Sequence, residues 1–327
     1  MGLLIVNTLT EQKCLHIVIG IIQNNKQEVL VSRRKPGTHL GGFLEFPGGK
    51  VEKNETAIKA LIRELAEELN IDVSKFVRLI QIPYSYSDRK VLLDVYVVNE
   101  YSGKVVAHEG QEVFWKPIAS LDSEKFPAAN YGIIRALQLP KVFPVTPNYT
   151  QDSSNFLKKF EVVVSRPSTR IIQLRSHELE LPEYSQLAKR CNELCKKHGV
   201  DLILNTNLEY FTELPATGLH LTSDKLLDAK KRPLSTDYLV GASCHNAHEI
   251  EHANSLGLDY INLGPVIEKH TCENSKALGW KMFSILAKKS LIPVYAIGGL
   301  GVDDVEASVL SGGQGVAAIR NVWGITN

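Results

Sequence analysis

Between residues 142 and 320 the chain repeats one rhythm, a short apolar run followed by a stretch with helical spacing. The runs are "VFPVT", "RIIQLR", "DLILN", "GLHLT", "YLVGAS", "YINLG", "PVYAIGG" and "GVAAIR". Stretches such as "YSQLAKRCNELCKKHG" and "NAHEIEHANSLG" lie between them. Strands in regular alternation with helices argue for a parallel sheet, and eight is the count of a closed (β/α)8 barrel. At about 190 residues the barrel would be a compact one. An open doubly wound sheet is the alternative.

Up to about residue 137 the pattern is mixed instead. "HIVIGII" and "EVLVSRR" flank the polar turn "QNNKQ" and predict a hairpin. A glutamate-rich helix follows, then two strand-like runs, "FVRLIQIPYSYS" and "KVLLDVYVVNEY", around "DRK". A further strand, "EVFWKPIASL", and a closing helix, "YGIIRALQL", complete this part. Such a series implies an α+β fold, a mixed sheet with helices packed on it. The seam "LQLPKVFPVTPNYT" carries three prolines, which places a domain join there: residues 1–137, then 138–327.

A chain of 327 residues supports two cores. Its formal net charge of +1 carries no footprint for a nucleic-acid polymer or a membrane surface, and no apolar run approaches spanning length. "MGLLIVNTLTEQ" has no basic region and no cleavage-type ending. It reads as an N-terminal strand or tail rather than a signal peptide. Cys14, Cys191, Cys195, Cys244 and Cys272 form no CxxC pair and no disulfide framework, so reduced thiols and a cytoplasmic setting are expected. A homo-oligomer is left open.

The chemistry concentrates in "FPGGKVEKNETAIKALIRELAEELNI", residues 46–71. Ile58, Ile62, Leu65 and Leu69 predict a buried stripe, with Asn54 as N-cap and Ala57 and Ala60 on the opposite side. Glu64, Glu67 and Glu68 lie off that stripe on one face, where they repel one another. Hard oxygen ligands clustered beside a "PGG" turn suit Mg²⁺, or Mn²⁺, which bind phosphate substrates through a few carboxylates and waters. A solvated acidic face is the bland alternative.

The spacing decides between them. Gly49, Glu55 and then Arg63-Glu64-Leu65-Ala66-Glu67-Glu68-Leu69-Asn70-Ile71 resemble the Nudix box, G-x5-E-x7-R-E-U-x-E-E-x-G-U, with U apolar. Only Asn70 departs from it, where the family has Gly, and Asn also tolerates the left-handed helix end. "SRRK", His39, "LEFPGGK", "SDR", "EGQ" and "FPAAN" extend the resemblance to MutT-type nucleotide hydrolases over most of residues 15–137. That resemblance implies metal ligation by the Gly48 carbonyl, Glu64, Glu67, Glu68 and Glu109, with Glu55 and Arg63 as braces. It implies a nucleotide substrate met by Arg34, His39 and Arg89 on the phosphate and sugar side. The base would fall to Phe46 and Asn130, within a lining that includes Glu45 and Pro47.

The implied reaction splits a nucleoside triphosphate into monophosphate and pyrophosphate, with Glu64 as first choice for the general base and Glu67 second. Asn130 implies 8-oxo-dGTP. Ordinary guanine offers acceptors at N7 and O6, whereas the 8-oxo form carries a hydrogen on N7, and an amide matches that donor–acceptor edge.

In the second part, "RIIQLRSHE", "GLHLTSD", "GASCH", "DYINLGPV" and "PVYAIGGL" resemble thiamine phosphate synthase and its TenI-like relatives over nearly all of residues 138–327. Gln173, Arg175, Asn205, Asp224, Ser243 and Thr271 fall on matching positions. The turns at Gly298, Gly299 and Ile319–Arg320 imply a site for a phosphorylated small molecule. The match is incomplete. His177 stands for a lysine, Thr206 for a magnesium-binding aspartate, Lys269-His270-Thr271-Cys272 for T-x-T-K, and Pro265 for the tautomerase histidine. Three readings follow: a pyrophosphohydrolase with an accessory barrel, a transferase of thiamine synthesis whose other half trims a thiamine-related diphosphate, or a barrel that binds a phosphorylated ligand without catalysis.

Overall fold

The computed structural model describes residues 14–37, 40–108, 110–149, 153–176, 178–267, 277–320 and 322–324. The strand or tail expected over residues 1–12 lies outside them. The first part contains strands β1 (Cys14–Ile22), β2 (Glu28–Arg33), β3 (Leu44–Glu45) and β4 (Gly48–Lys50), then helix α1 (Ala57–Leu69). Strands β5 (Ile71–Ser85), β6 (Lys90–Gly103) and β7 (Val113–Pro117) and helix α2 (Tyr131–Gln138) follow. One sheet runs β4-β1-β6-β5 and the other β3-β2-β7. β1 and β6 are parallel, and the remaining pairs are antiparallel. This is the expected mixed-sheet α+β fold.

The predicted hairpin forms only at its tip, where Gln23 bridges Val29. Beyond that point β1 and β2 part into different sheets. A strand has two edges, and those of β1 are taken by β4 and β6, so β2 finds its partners elsewhere. Alternate residues of β1 fill the two cores that flank it, Val18 and Ile22 under α1 and Ile19 and Ile21 on the other face.

Helix α1 is rotated from the expected stripe. It buries Ala60, Leu61, Leu65 and Leu69, while Ile58 and Ile62 are 44% and 36% exposed. Leu65 packs onto Gly20 of β1, where any Cβ would collide with it, and the small Ala60 goes into the core instead of lying beside the glutamates. The N-cap is Thr56, whose hydroxyl accepts from the Lys59 N–H at 3.3 Å. Asn54, the expected cap, occupies a left-handed turn at φ 67° two residues earlier. At the other end Asn70 takes the left-handed conformation, φ 56° and ψ 43°, and its N–H reaches the Ala66 carbonyl.

The second part contains β8 (Val142–Pro144), α3 (Ser153–Val164), β9 (Ile171–Leu174), α4 (Leu181–His198), β10 (Asp201–Leu204), α5 (Leu208–Phe211) and β11 (Gly218–Leu221). It continues with α6 (Ser223–Asp228), β12 (Leu239–Cys244), α7 (Ala247–Ser255), β13 (Tyr260–Leu263), α8 (Gly279–Ala287), β14 (Val294–Ile297), α9 (Val305–Leu310) and β15 (Gly315–Ala318). All eight apolar runs are strands. They pair in parallel in the order β8-β15-β14-β13-β12-β11-β10-β9. Val145, just past β8, bridges Gln173 of β9, and the Thr146 N–H donates to the Gln173 carbonyl at 2.9 Å. That contact brings the two ends of the sheet together, so the barrel prevails over the open sheet.

Phe143, Tyr260 and Tyr295 meet edge to face inside the barrel, and the larger apolar core lies between the strands and the outer helices. Helix α2 lies against the end of the barrel from which the strands begin. No helix among the described residues is long and apolar enough to cross a membrane.

Candidate active site

The turn before α1 and the polar face of α1 build one acidic cluster. Gly48 has φ 144°, and a Cβ there would strike the Val18 carbonyl, so only glycine brings this backbone so close to β1. The Gly48 N–H donates to Glu68 Oε2 at 3.0 Å. Gly49 next to it leaves the space that the Glu64 carboxylate fills.

Arg63 ties the rest together. Its Nε and one terminal nitrogen donate to the two Glu55 oxygens at 3.0 and 2.9 Å, and that same nitrogen reaches the Lys50 carbonyl. The other terminal nitrogen donates to Glu64 Oε1 at 2.9 Å and Glu67 Oε2 at 3.2 Å. The hydrogen bonds it donates to Glu55 and then to Glu64 push the guanidinium pKa up. The same Arg63 bond, with the Glu52 N–H, holds the Glu55 carboxyl below its ordinary value.

Beside the cluster lies a cavity of about 290 Å³ lined by Arg34, Glu45, Phe46, Gly48, Arg89 and Asn130, together with apolar residues of β1 and β6. Phe46 is buried and stacks on Phe126 at 5.0 Å, so it serves the core and the cavity wall at once. Arg34 pairs with Glu45 at 2.6 Å and Arg89 with Asp88 at 2.6 Å. Asn130 is 7% exposed and donates through Nδ2 to the Pro127 carbonyl at 3.3 Å. A second, open hollow holds Glu64, His16 and Glu52 and shares Leu15 and Lys50 with the first. Leu15 and Lys50 therefore stand between the Asn130 cavity and the hollow at Glu64.

The barrel has a polar interior of its own. His220 is 1% exposed, with Nε2 at 2.9 Å from Ser243 Oγ and Nδ1 at 3.1 Å from the Tyr260 hydroxyl. Asn262 Nδ2 donates to Gln173 Oε1 at 3.5 Å. Asn205 lines a hollow of about 200 Å³ with Ser176, Thr206, Thr222 and Lys225. Arg175 and Thr146 exchange two bonds through the Arg175 backbone. Gly298 and Gly299 have φ of 99° and 72°, and Pro265 sits where a Cβ on Gly298 would fall. The Ile319 and Arg320 carbonyls both accept from the Trp323 N–H.

The model of the NUDIX domain matches residues 18–136, and that of thiamine monophosphate synthase matches residues 142–322. An 8-oxo-dGTP diphosphatase of Escherichia coli strain K12 is 36% identical over 126 residues, 38% of this chain and 98% of that protein. A thiamine-phosphate synthase of Fusobacterium nucleatum is 30% identical over 183 residues, 56% of this chain and 88% of that protein. One from Limosilactobacillus fermentum is 33% identical over 178 residues, 53% of this chain and 83% of that protein. The chain belongs to the Nudix family in its first part and to the thiamine monophosphate synthase family in its second.

Within the Nudix part, Gly48, Glu55, Arg63, Glu64, Glu67 and Glu68 lie together, and Arg34, Glu45, Phe46, Arg89 and Asn130 share the adjoining cavity. Pro47 is not among that cavity's lining residues, and its carbonyl accepts from the Gly20 N–H on β1. His39 and Glu109 lie outside the described residues. The chain leading to Glu109 is anchored, because His108 N–H donates to the Glu68 carbonyl at 3.0 Å. Sequence reasoning missed Lys50 and Tyr86, both in the cavity wall. The first follows "PGG" directly and the second opens the turn before Arg89, so proximity to motif residues was the available signal.

Among the described residues no three His, Cys, Asp or Glu side chains converge to hold a metal as they stand. Glu64 and Glu67 face Arg63, and Glu68 faces the Gly48 N–H. In kind, though, the donors fit Mg²⁺: three carboxylates from one helix face beside a glycine turn, with one guanidinium answering their charge.

The synthase-type metal position of the barrel does not fit. Asp224 is its one carboxylate, it is exposed, and Thr206 stands beside Asn205. Thr271, with His177, Lys269, His270 and Cys272, lies outside the described residues. His220 was not anticipated. It sits inside a strand that sequence periodicity marks only as apolar.

Proposed function

We propose that residues 1–137 form a Mg²⁺-dependent nucleoside triphosphate pyrophosphohydrolase whose preferred substrate is 8-oxo-dGTP, and that residues 138–327 form a second domain. Mn²⁺ is an alternative ion. The observation that carries the substrate reading is Asn130, buried at the cavity wall with only one of its two donors given to Pro127. Its acceptor and remaining donor match the N7–H and O6 edge of the oxidised base, and two acceptors on ordinary guanine mismatch it. A buried polar group left unpaired by the wrong substrate discriminates by orders of magnitude. The similarity to 8-oxo-dGTP diphosphatases supports the same reading.

A bound divalent ion would offset the oxyanion charge of the triphosphate and make its bound water easier to deprotonate. Glu64, Glu67, Glu68 and the Gly48 carbonyl would hold it, with Glu109. Glu64 takes the proton from the attacking water, Glu67 being the alternative. Arg63 keeps the carboxylates apart in fixed places, and Phe46 gives the base an apolar wall. The products are the nucleoside monophosphate and pyrophosphate, which in a cytoplasmic setting would clear an oxidised nucleotide before DNA synthesis.

For the barrel we infer binding of a phosphorylated small molecule at the Gly298–Gly299 and Ile319–Arg320 turns. The single carboxylate and Thr206 speak against pyrophosphate-displacing transfer.

The deciding experiment compares 8-oxo-dGTP, dGTP and thiamine diphosphate with full-length protein and Mg²⁺, reading pyrophosphate from the nucleotides and orthophosphate from the thiamine compound. Preference for 8-oxo-dGTP is expected, lost in Glu68→Gln and levelled toward dGTP in Asn130→Ala. Preference for thiamine diphosphate, or unchanged selectivity in Asn130→Ala, overturns the substrate reading.

A further inference from the structure

Helix α2 begins at Tyr131; Asn130 before it ends a short 3-10 turn and stands in the N-cap position, yet makes no side-chain capping bond. The side chain lines the cavity and gives one donor to the Pro127 carbonyl, and contacts from the barrel add to the hold on the start of the helix. Tyr131, the next residue, donates its hydroxyl to Asp259 Oδ1 at 2.5 Å, across 128 positions of sequence. Asp259 is 0% exposed and immediately precedes β13 at the end of the barrel from which the strands begin.

The two oxygens of Asp259 divide their partners by origin. Oδ2 is held by the barrel itself, through Arg232 at 2.6 Å and the Val240 N–H at 2.7 Å. Oδ1 meets α2, through Tyr131 and the Arg135 Nε at 2.7 Å. The Arg135 guanidinium also lies over the Tyr131 ring at 5.3 Å from its centre. A buried carboxylate needs hydrogen bonds and a counter-charge, and here the Nudix helix supplies one of three hydrogen bonds, from Tyr131, and one of two ion pairs, with Arg135.

Two more contacts seat the same helix. A Cβ on Gly132 would strike the Leu291 carbonyl, so glycine lets α2 approach the loop before β14. Gln314, just before β15, donates from Nε2 to the Ala136 and Leu139 carbonyls, both at 2.9 Å. That capping holds the far end of α2 and leaves its first turn to Asp259.

We propose that Asp259 and Tyr131 are positioning residues for base recognition, by which the barrel holds Asn130 in register with the edge of the bound base. The proposal rests on the reading of Asn130 given above. A pair of hydrogen bonds tolerates displacement of only a few tenths of an ångström before their geometry fails. The Asn130 side chain makes one bond, 3.3 Å to the Pro127 carbonyl, which its backbone N–H also reaches at 2.8 Å, so its aim follows the short turn that leads from Pro127 into α2.

The test uses full-length protein and three variants, Tyr131→Phe, Asp259→Asn and Gln314→Ala, each assayed for kcat, KM and melting temperature. Tyr131→Phe removes one hydroxyl and keeps the ring. It should raise KM for 8-oxo-dGTP by about fivefold to tenfold, leave kcat within about twofold, and lower the preference over dGTP. Gln314→Ala loosens the opposite end of the helix and should lower the melting temperature without moving the preference.

Melting temperatures that fall in both variants with preference unchanged in both would overturn the proposal and leave the interface a purely structural one. Equal loss of preference in Gln314→Ala and Tyr131→Phe would also overturn it, because general loosening would then suffice. Asp259→Asn should follow Tyr131→Phe if it folds, and Tyr131→Phe alone decides the matter if it does not. If wild-type protein shows no preference for the oxidised base, the substrate reading has failed instead. The positioning role is then judged on KM for whichever nucleotide is turned over: a rise confined to Tyr131→Phe upholds it and no rise refutes it.

Discussion

Replacing Gly49 by alanine places a methyl group where the Glu64 carboxylate now lies, closer than 3.0 Å to all three of its terminal atoms. What yields is the far end of a flexible side chain. The backbone itself is unstrained, since Gly49 is outside the left-handed region. The stability terms are small and opposed. Loss of the Arg63–Glu64 pair, whose side chains are 26% and 16% exposed, costs about 0.5–1 kcal/mol. The stiffer unfolded chain returns roughly 0.4–1 kcal/mol. The melting temperature should therefore stay within a few degrees of wild type. Activity should not: displacing a general base removes a factor of about 10²–10⁴.

Gly48→Ala, one residue earlier, should fail in the opposite way. Its φ of 144° and the collision with the Val18 carbonyl strain the β1–β4 pairing itself, at a cost above about 3 kcal/mol. Pyrophosphate release and thermal melting, measured on both variants, separate the two cases. Gly49→Ala with activity within about threefold of wild type would refute the placement of Glu64 at the reacting centre.

Three further outcomes are expected. The Arg63 hydrogen bond holds the Glu55 carboxyl below its ordinary value of 4.5, so its contribution is full above that value and is lost as pH falls through the lower folded one; melting curves of wild type should drop more steeply below pH 4.5 than those of Glu55→Gln. Burial pushes the Cys195 thiol up to about 12 and the Cys191 and Cys244 thiols up as well, whereas Cys14 is exposed; alkylation of native protein near neutral pH, mapped by peptide mass, should mark Cys14 and spare those three. Trp323 stacks on Phe156 at 5.9 Å and donates Nε1 to the Val145 carbonyl at 2.8 Å; Trp323→Ala should cost about 3–5 kcal/mol, read as a melting temperature lower by roughly ten degrees.

The eight strands of the barrel and the ligand face of α1 were readable because each depends on residues close together in sequence. An apolar run of four residues between helical stretches is a strand whatever surrounds it, and glutamates at positions 64, 67 and 68 share a helix face by geometry alone. Asn70 as a left-handed helix end was readable for the same reason. The errors in the first part have the opposite origin. Ile58 and Ile62 have as good an apolar pattern as Leu61 and Leu65, and only the gap above Gly20 chooses between them. The partner of β2 depended on which strands had already taken both edges of β1.

Sequence by itself thus determined the elements, the acidic face with its glycine turn, and the two families, all carried by local spacing. Tertiary structure decided the rotation of α1, the cavity that gathers Arg34, Phe46, Arg89 and Asn130 from separate loops, the burial of His220, and the seat of α2 on Asp259. The physical reason is range. Helix and strand periodicities act over a few residues, while a cavity wall or a buried carboxylate is completed by groups such as Tyr131 and Asp259, 128 positions apart, that only the closed fold brings within hydrogen-bonding distance.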